Sequence, residues 1–118
     1  MNTTKNIANT LSVALESSDG QALIDLYADD AELQVIDRNH QPSHPLTLRG
    51  KSAIAEYWTD ICGRALSHRV ERMIAAGDSL AYDEACKYPD GTAVRCVAIV
   101  ELRDGLIARQ VGVQAWDE

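Results

Sequence analysis

The chain has 118 residues and a formal charge of −7, with 18 acidic side chains against 11 lysines and arginines. This length suits one domain over residues 1–118 that buries a core without disulfides or a structural metal. The acidic balance argues against nucleic-acid and membrane-surface partners, because both present negative charge to a protein.

Two helices are predicted at the start of the chain. Thr3 or Thr4 can cap the first of them, and its apolar residues recur at helical spacing. These residues are Ile7, Leu11, Ala14 and Leu15. A short second helix follows, with Asp19 as its cap and Asp29-Asp30 as its end.

Residues 31–37 predict the first strand. Leu33, Val35 and Asp37 alternate with Glu32, Gln34 and Ile36, which is typical of a half-buried strand. The segment 38–46 contains two prolines and two histidines, and it is too polar to pack as a regular element. We therefore expect a loop there, at the rim of the domain.

The segment after Gly50 has the clearest helical period in the chain. Its apolar residues fall at i, i+3, i+4, i+7, i+8 and i+11. They are Ile54, Tyr57, Trp58, Ile61, Cys62 and Ala65. We expect this face of a third helix to pack against the rest of the domain.

From Ser67 onward the apolar period changes from 3.6 to 2, which indicates strands. The predicted strands cover 67–76, 80–88, 93–103 and 106–116. Turn sequences separate them and favour tight antiparallel connections: Gly77-Asp78, Pro89-Asp90-Gly91 and Asp104-Gly105. Helices first and strands after, with no alternating repeat, predict an α+β fold with one antiparallel sheet.

The compartment follows from the cysteines and the apolar runs. Cys62, Cys86 and Cys96 form an odd, unclustered set that suits buried residues in a reducing environment. No apolar run approaches the roughly 18 residues of a membrane span, and residues 1–6 have no apolar signal core behind them. We expect a cytoplasmic protein with unbridged thiols.

Three phrases, in this order and spacing, resemble the nuclear-transport-factor-2-like superfamily, which includes ketosteroid isomerase and the SnoaL-like polyketide cyclases. They are Leu26-Tyr27-Ala28-Asp29-Asp30-Ala31, Arg49-Gly50-Lys51-Ser52-Ala53-Ile54 and Arg103-Asp104-Gly105-Leu106-Ile107. The resemblance covers nearly the whole chain. It implies a cone in which N-terminal helices pack on a curved antiparallel sheet and enclose a pocket for a small apolar or aromatic molecule.

The resemblance also implies which strand residues face the pocket. The inward set is Leu80, Tyr82, Glu84, Cys86, Tyr88, Val94, Cys96, Ala98, Val100, Gln110, Gly112, Gln114 and Trp116. Val97 and Ile99 then lie on the opposite face, which is also apolar. We expect a second subunit to cover that face, which predicts a homodimer.

The isomerases of this superfamily use an aspartate base, a tyrosine and a protonated aspartate. The matching positions here are Val35, Leu11 and Ala98, and none can carry a proton. Ketosteroid isomerisation by those residues is therefore not expected. The SnoaL-like cyclases are the nearest broad group that the resemblance offers.

Glu84, Asp37 and His68 are the candidates for acid–base chemistry. Burial disfavours a charged carboxylate, so Glu84 inside an apolar cone suits a general acid or base. Two alternatives are that Asp83 faces inward after a one-residue slip, or that Glu84 pairs with an arginine. Asp37 would act from the mouth of the pocket, although a carboxylate at that position is ordinarily a solvated turn residue. His68 would partner a carboxylate, although it is ordinarily interpreted as a structural histidine.

The ligand-binding candidates are aromatic or amide side chains. They are Tyr57, Trp58, Tyr82, Gln114 and Trp116. Tyr57 and Trp58 also fit plain core packing, whereas Gln114 and Trp116 could orient a ring without chemistry. In an enzyme, Tyr82, His68 or Gln114 would polarise an oxygen of the ligand.

Metal and cofactor chemistry has little support in the sequence. The histidines His40, His44 and His68 are irregularly spaced, and no carboxylate cluster completes a set of metal ligands. Neither a phosphate-binding glycine loop nor a nucleophile motif occurs. A cofactor-free enzyme, a small-molecule binder and a dimerisation module with a collapsed pocket remain the three alternatives.

Overall fold

The computed structural model describes residues 3–118, and these residues form three helices and six strands. The helices are α1 (Thr4–Glu16), α2 (Gly20–Ile24) and α3 (Lys51–Cys62). The strands are β1 (Tyr27–Ile36), β2 (Leu46–Arg49), β3 (Ser67–Ala76), β4 (Ser79–Lys87), β5 (Ala93–Arg103) and β6 (Leu106–Trp116). The last four strands agree with the predicted bounds to within one residue.

The helix starts are set by local hydrogen bonds. The Thr3 side chain accepts from the amide of Asn6, and the Asp19 side chain accepts from the amide of Ala22. Both caps were predicted, and both satisfy amides that the first helical turn leaves unpaired. The second helix ends at Ile24 rather than at Asp29-Asp30, which lie exposed in β1.

The six strands form one sheet in the order β2-β1-β6-β5-β4-β3. Strands β3 to β6 make the predicted antiparallel meander, but β1 pairs with β6 in parallel. The prediction of a purely antiparallel sheet was therefore wrong, and the sheet is mixed. The sequence also missed β2, a four-residue edge strand that pairs only with β1.

The helices cover one face of the sheet, and the main core lies between them. Fully buried side chains from both layers meet there, among them Leu11, Leu15, Tyr27, Ile54 and Leu80. The other face, here called the outer face, exposes Ile74, Val97, Ile99 and Val113. Within residues 3–118, no helix is long and apolar enough to cross a membrane.

Candidate active site in a cavity beneath the third helix

A cavity of about 70 Å³ lies between α3 and the inner face of the sheet. Seven of the eight predicted site residues line it: Tyr57, Trp58, His68, Tyr82, Glu84, Gln114 and Trp116. Strand alternation accounts for this, because Tyr82 and Glu84 are two residues apart on β4 and share its inner face. The predicted inward face of β4 is confirmed.

The alternative in which Asp83 points inward is wrong. Asp83 lies on the outer side of β4, where Arg72 and Arg95 hold its carboxylate at 2.7 and 3.0 Å. The hydrogen bond from Arg72, together with the guanidinium of Arg95, lowers the pKa of Asp83. The two acidic neighbours on β4 therefore have different environments, and only Glu84 reaches the cavity.

Glu84 is paired with His68, not with an arginine. Nδ1 of His68 lies 2.9 Å from Oε2 of Glu84, and the two side chains are only 5% and 6% exposed. The same nitrogen lies 3.3 Å from Sγ of Cys86. The sequence suggested a buried carboxyl in an apolar surrounding. In the structure Glu84 instead has a cationic partner, His68.

This arrangement favours the charged form of His68. The hydrogen bonds of Nδ1 to Cys86 and to Glu84 raise the pKa of His68 from 6.5 to about 9, against the opposite effect of burial. A hydrogen bond with Cys96, together with burial, raises the pKa of the Cys86 thiol. At neutral pH the cavity therefore holds an imidazolium beside Glu84 and a protonated thiol.

A second polar group beside the cavity consists of four buried side chains. Nε1 of Trp58 donates to the Tyr27 hydroxyl at 3.1 Å, and that hydroxyl is hydrogen-bonded to Oε1 of Gln110. Nε2 of Gln110 donates to the Tyr82 hydroxyl at 3.1 Å. Here these four side chains are called the donor chain. Tyr27 and Gln110 were not among the predicted site residues.

Beyond the cavity a wider outer hollow leads to the surface, and Tyr57, Gln114 and Trp116 line both spaces. Trp116 is held by a hydrogen bond from its Nε1 to Oε1 of Gln114 at 3.0 Å. The Arg38 guanidinium lies 4.1 Å from the centre of the Trp116 ring, a cation–π contact. The predicted aromatic lining is therefore present both inside the cavity and at its mouth.

Asp37 lines the outer hollow and not the cavity. Its Oδ1 accepts from the backbone amide of Asn39 at 2.9 Å and lies 2.9 Å from Nδ1 of His40. This places Asp37 at the mouth, as predicted, but engages its carboxylate in a local turn. Its acid–base role stays a prediction.

The three histidines do not come together. His40 is held by Asp37, His44 by Ser43, and His68 by Glu84 and Cys86. Ligand-type atoms of His68, Glu84 and Cys86 do lie within 4.8 Å of one another. However, the raised pKa of the Cys86 thiol disfavours the thiolate, which is the form that binds metals.

The cysteines of the described chain are free. Across the hairpin of β4 and β5, Cys86 pairs with Val94 and Cys96 with Glu84. The two thiols are thus diagonal neighbours on one face. The positions that carry catalysis in the isomerases are apolar and buried here: Leu11, Val35 and Ala98.

Comparison with known proteins agrees with this fold. A family model described as a SnoaL-like domain matches residues 8–110. Among proteins with curated descriptions, none matches.

Solved structures of the same fold share little sequence with the chain. An NTF2-like protein of unknown function from Mesorhizobium loti is 21% identical, with a TM-score of 0.84 over 95% of this chain and 90% of its own. One from Burkholderia xenovorans is 20% identical, with a TM-score of 0.77 over 98% and 83%. A protein with a ketosteroid isomerase-like fold from Catenulispora acidiphila, in complex with trimethylamine, is 18% identical, with a TM-score of 0.68 over 93% and 85%. At these identities the similarity shows the fold alone.

Proposed function

Because the chain belongs to the SnoaL-like domain family, we propose that it binds a small organic molecule in the cavity and moves a proton on it without a cofactor. The observation that carries this proposal is the buried pair of His68 and Glu84 on the cavity wall. A charged pair is costly to bury, and replacing it by apolar residues often leaves a fold as stable or more so. A role in chemistry accounts for the presence of the pair of His68 and Glu84 in a cavity whose neighbouring walls are apolar and aromatic.

In this proposal the two groups have different roles. Oε2 of Glu84 is occupied by His68, whereas no protein donor among residues 3–118 is bonded to Oε1. Oε1 is therefore the oxygen that accepts a proton from a bound molecule. His68 orients the carboxylate and stabilises its charge before the transfer.

The reaction class that fits is proton removal from a carbon next to a carbonyl group. The Glu84 carboxylate takes the proton, the C–H bonding pair forms a carbon–carbon double bond, and the π pair of the carbonyl group moves onto its oxygen to give an enolate. Return of the proton to the same or another carbon regenerates Glu84. Such a step needs a base, a donor to the oxygen and exclusion of water, but no oxidant or metal.

Binding without chemistry is the second candidate. It has support in the isomerase positions, which are apolar here, and in the trimethylamine held by the related fold from Catenulispora acidiphila. A small amine or another apolar molecule would then occupy the cavity without proton transfer. The two candidates differ in one measurable property, which is exchange of carbon-bound hydrogen.

Cyclopentanone in D₂O tests the proposal, because loss of its α-proton NMR signal reports proton removal directly. We expect the protein to speed this exchange above the rate in buffer. Glu84→Gln keeps the shape of the side chain but removes the base, so exchange should fall at least tenfold while cyclopentanone affinity is retained. Glu101→Gln is the matched control, because Glu101 is exposed on the neighbouring strand β5.

The possible outcomes separate the candidates. Binding of cyclopentanone with no faster exchange contradicts the enzyme proposal and favours the binder. Exchange that survives in Glu84→Gln but disappears in Asp37→Asn would move the base to the mouth of the cavity.

A further inference from the structure

The donor chain has only one possible direction. An indole N–H donates and cannot accept, so the Tyr27 oxygen accepts from Trp58. Tyr27 is fully buried and no other acceptor among residues 3–118 is bonded to its hydroxyl, so its single proton goes to Oε1 of Gln110. The amide of Gln110 is thereby fixed, and its NH₂ group donates to the oxygen of Tyr82.

The direction of the chain determines what Tyr82 offers to the cavity. Its oxygen already accepts from Gln110, and no acceptor among residues 3–118 is bonded to its proton. Tyr82 is 5% exposed and lines the cavity, so a bound ligand can supply the acceptor that its O–H lacks. Burial raises the pKa of Tyr82 well above its ordinary value, so the hydroxyl stays protonated.

Successive donation also polarises the last hydroxyl. Each hydrogen bond in a series draws electron density along the chain, and this strengthens the donor at its end. A buried donor without an acceptor costs free energy, and an acceptor on a ligand removes that cost. A ligand group that can only donate would leave the hydroxyl unsatisfied.

We propose that the donor chain makes the part of the cavity beside Tyr82 selective for a carbonyl compound, with Tyr82 as the residue that sets this specificity. The proposal deepens the proposed function and rests on its ligand site. The Cα of Glu84 lies about 7 Å from that of Tyr82 along the same strand face. A carbonyl oxygen at Tyr82 therefore places the neighbouring carbons of a small molecule toward Glu84.

A matched pair of probes tests the selectivity. Cyclopentanone presents an acceptor, whereas cyclopentylamine, an ammonium ion at neutral pH, presents only donors on a ring of the same size. Their dissociation constants are measured by NMR titration of the wild-type protein. Because the ammonium ion also interacts with Glu84, the readout is the effect of Tyr82→Phe on each probe. This variant should weaken cyclopentanone binding about tenfold, the size of one net hydrogen bond to a neutral group, and leave cyclopentylamine binding unchanged.

Gln110→Glu tests the direction of the chain. A carboxylate at position 110 accepts from both tyrosines, so the proton of Tyr82 turns away from the cavity and its lone pairs face the ligand. The preference should then reverse in favour of cyclopentylamine. Tyr82→Phe keeps the proposal testable if Gln110→Glu does not fold, because the phenyl ring fills the same space.

The results distinguish this inference from the proposed function. Cyclopentanone binding that Tyr82→Phe leaves unchanged, or cyclopentylamine binding that it weakens equally, would overturn the selectivity. A carbonyl preference without α-proton exchange supports the selectivity and contradicts the enzyme. Binding of neither probe contradicts the ligand site itself, and with it both proposals.

Discussion

Protonation of His68 should make the stability of the protein depend on pH. Its pKa is about 9 in the folded protein and 6.5 in the absence of its partners. A raised pKa means that the folded state holds the proton more tightly than the unfolded state. The resulting stabilisation is complete below pH 6.5 and is lost as the pH rises through 9.

The size of the effect follows from the pKa difference. One pKa unit corresponds to about 1.4 kcal/mol, so His68 contributes at most about 3 kcal/mol to the free energy of unfolding. This is a large share of the roughly 5–15 kcal/mol that stabilises a typical domain. It should appear in urea unfolding curves recorded at intervals from pH 6 to 9.

The variant His68→Gln isolates this contribution, because it keeps a polar side chain that cannot be protonated. Its free energy of unfolding should vary far less with pH than that of the wild-type protein. His44→Gln serves as the control, because it removes an exposed histidine that is hydrogen-bonded to Ser43 and not to a carboxylate. A wild-type curve that is flat from pH 6.5 to 9, or a slope that persists in His68→Gln, would refute the assignment.

Three further predictions concern the cavity, the outer face and the thiols. Gly112→Ala should weaken cyclopentanone binding, because the added Cβ enters the cavity that Gly112 lines. It should cost little stability, because that Cβ meets no atom within 4 Å. Unchanged affinity would contradict this prediction. Sedimentation should give twice the chain mass. Ile99→Glu on the outer face should give a monomer or aggregate, whereas Val13→Glu on the exposed side of α1 should leave the dimer intact. A dimer that survives Ile99→Glu would refute the interface. Titration of freshly unfolded protein should find three thiols, and a count of one would indicate a disulfide.

Much of the fold could be predicted because its signals are local. The alternation from Ser67 to Trp116 and the turns between its strands lie within short stretches of sequence. Edge strand β2 has four residues after Pro45, too few for a period to show. The parallel pairing of β1 with β6 joins residues from opposite ends of the chain, and no local pattern records it.

The site, like the fold, could be predicted only where its signals are local in the sequence. Parity along β4 placed Tyr82 and Glu84 on one face, but it could not show which groups they meet. His68 stands directly opposite Cys86 and reaches Glu84 diagonally, and a bulge between Val70 and Arg72 shifts the register of β3 just beyond it. The bond between Tyr27 and Gln110 likewise depends on the β1–β6 pairing, so the donor chain appears only in three dimensions.

That parallel pairing also bears on the order in which the protein folds. The meander closes by short turns, whereas β1 can join β6 only after most of the chain has been brought together, which carries a larger loss of chain entropy. Amides of β4 and β5 should therefore gain protection from hydrogen exchange before those of β1 in pulse-labelling experiments, and simultaneous protection would contradict this order. Because Leu33 and Val35 of β1 form part of the cavity wall, a ligand can recognise only the finished fold. Binding would then slow unfolding and leave the early steps of folding unchanged.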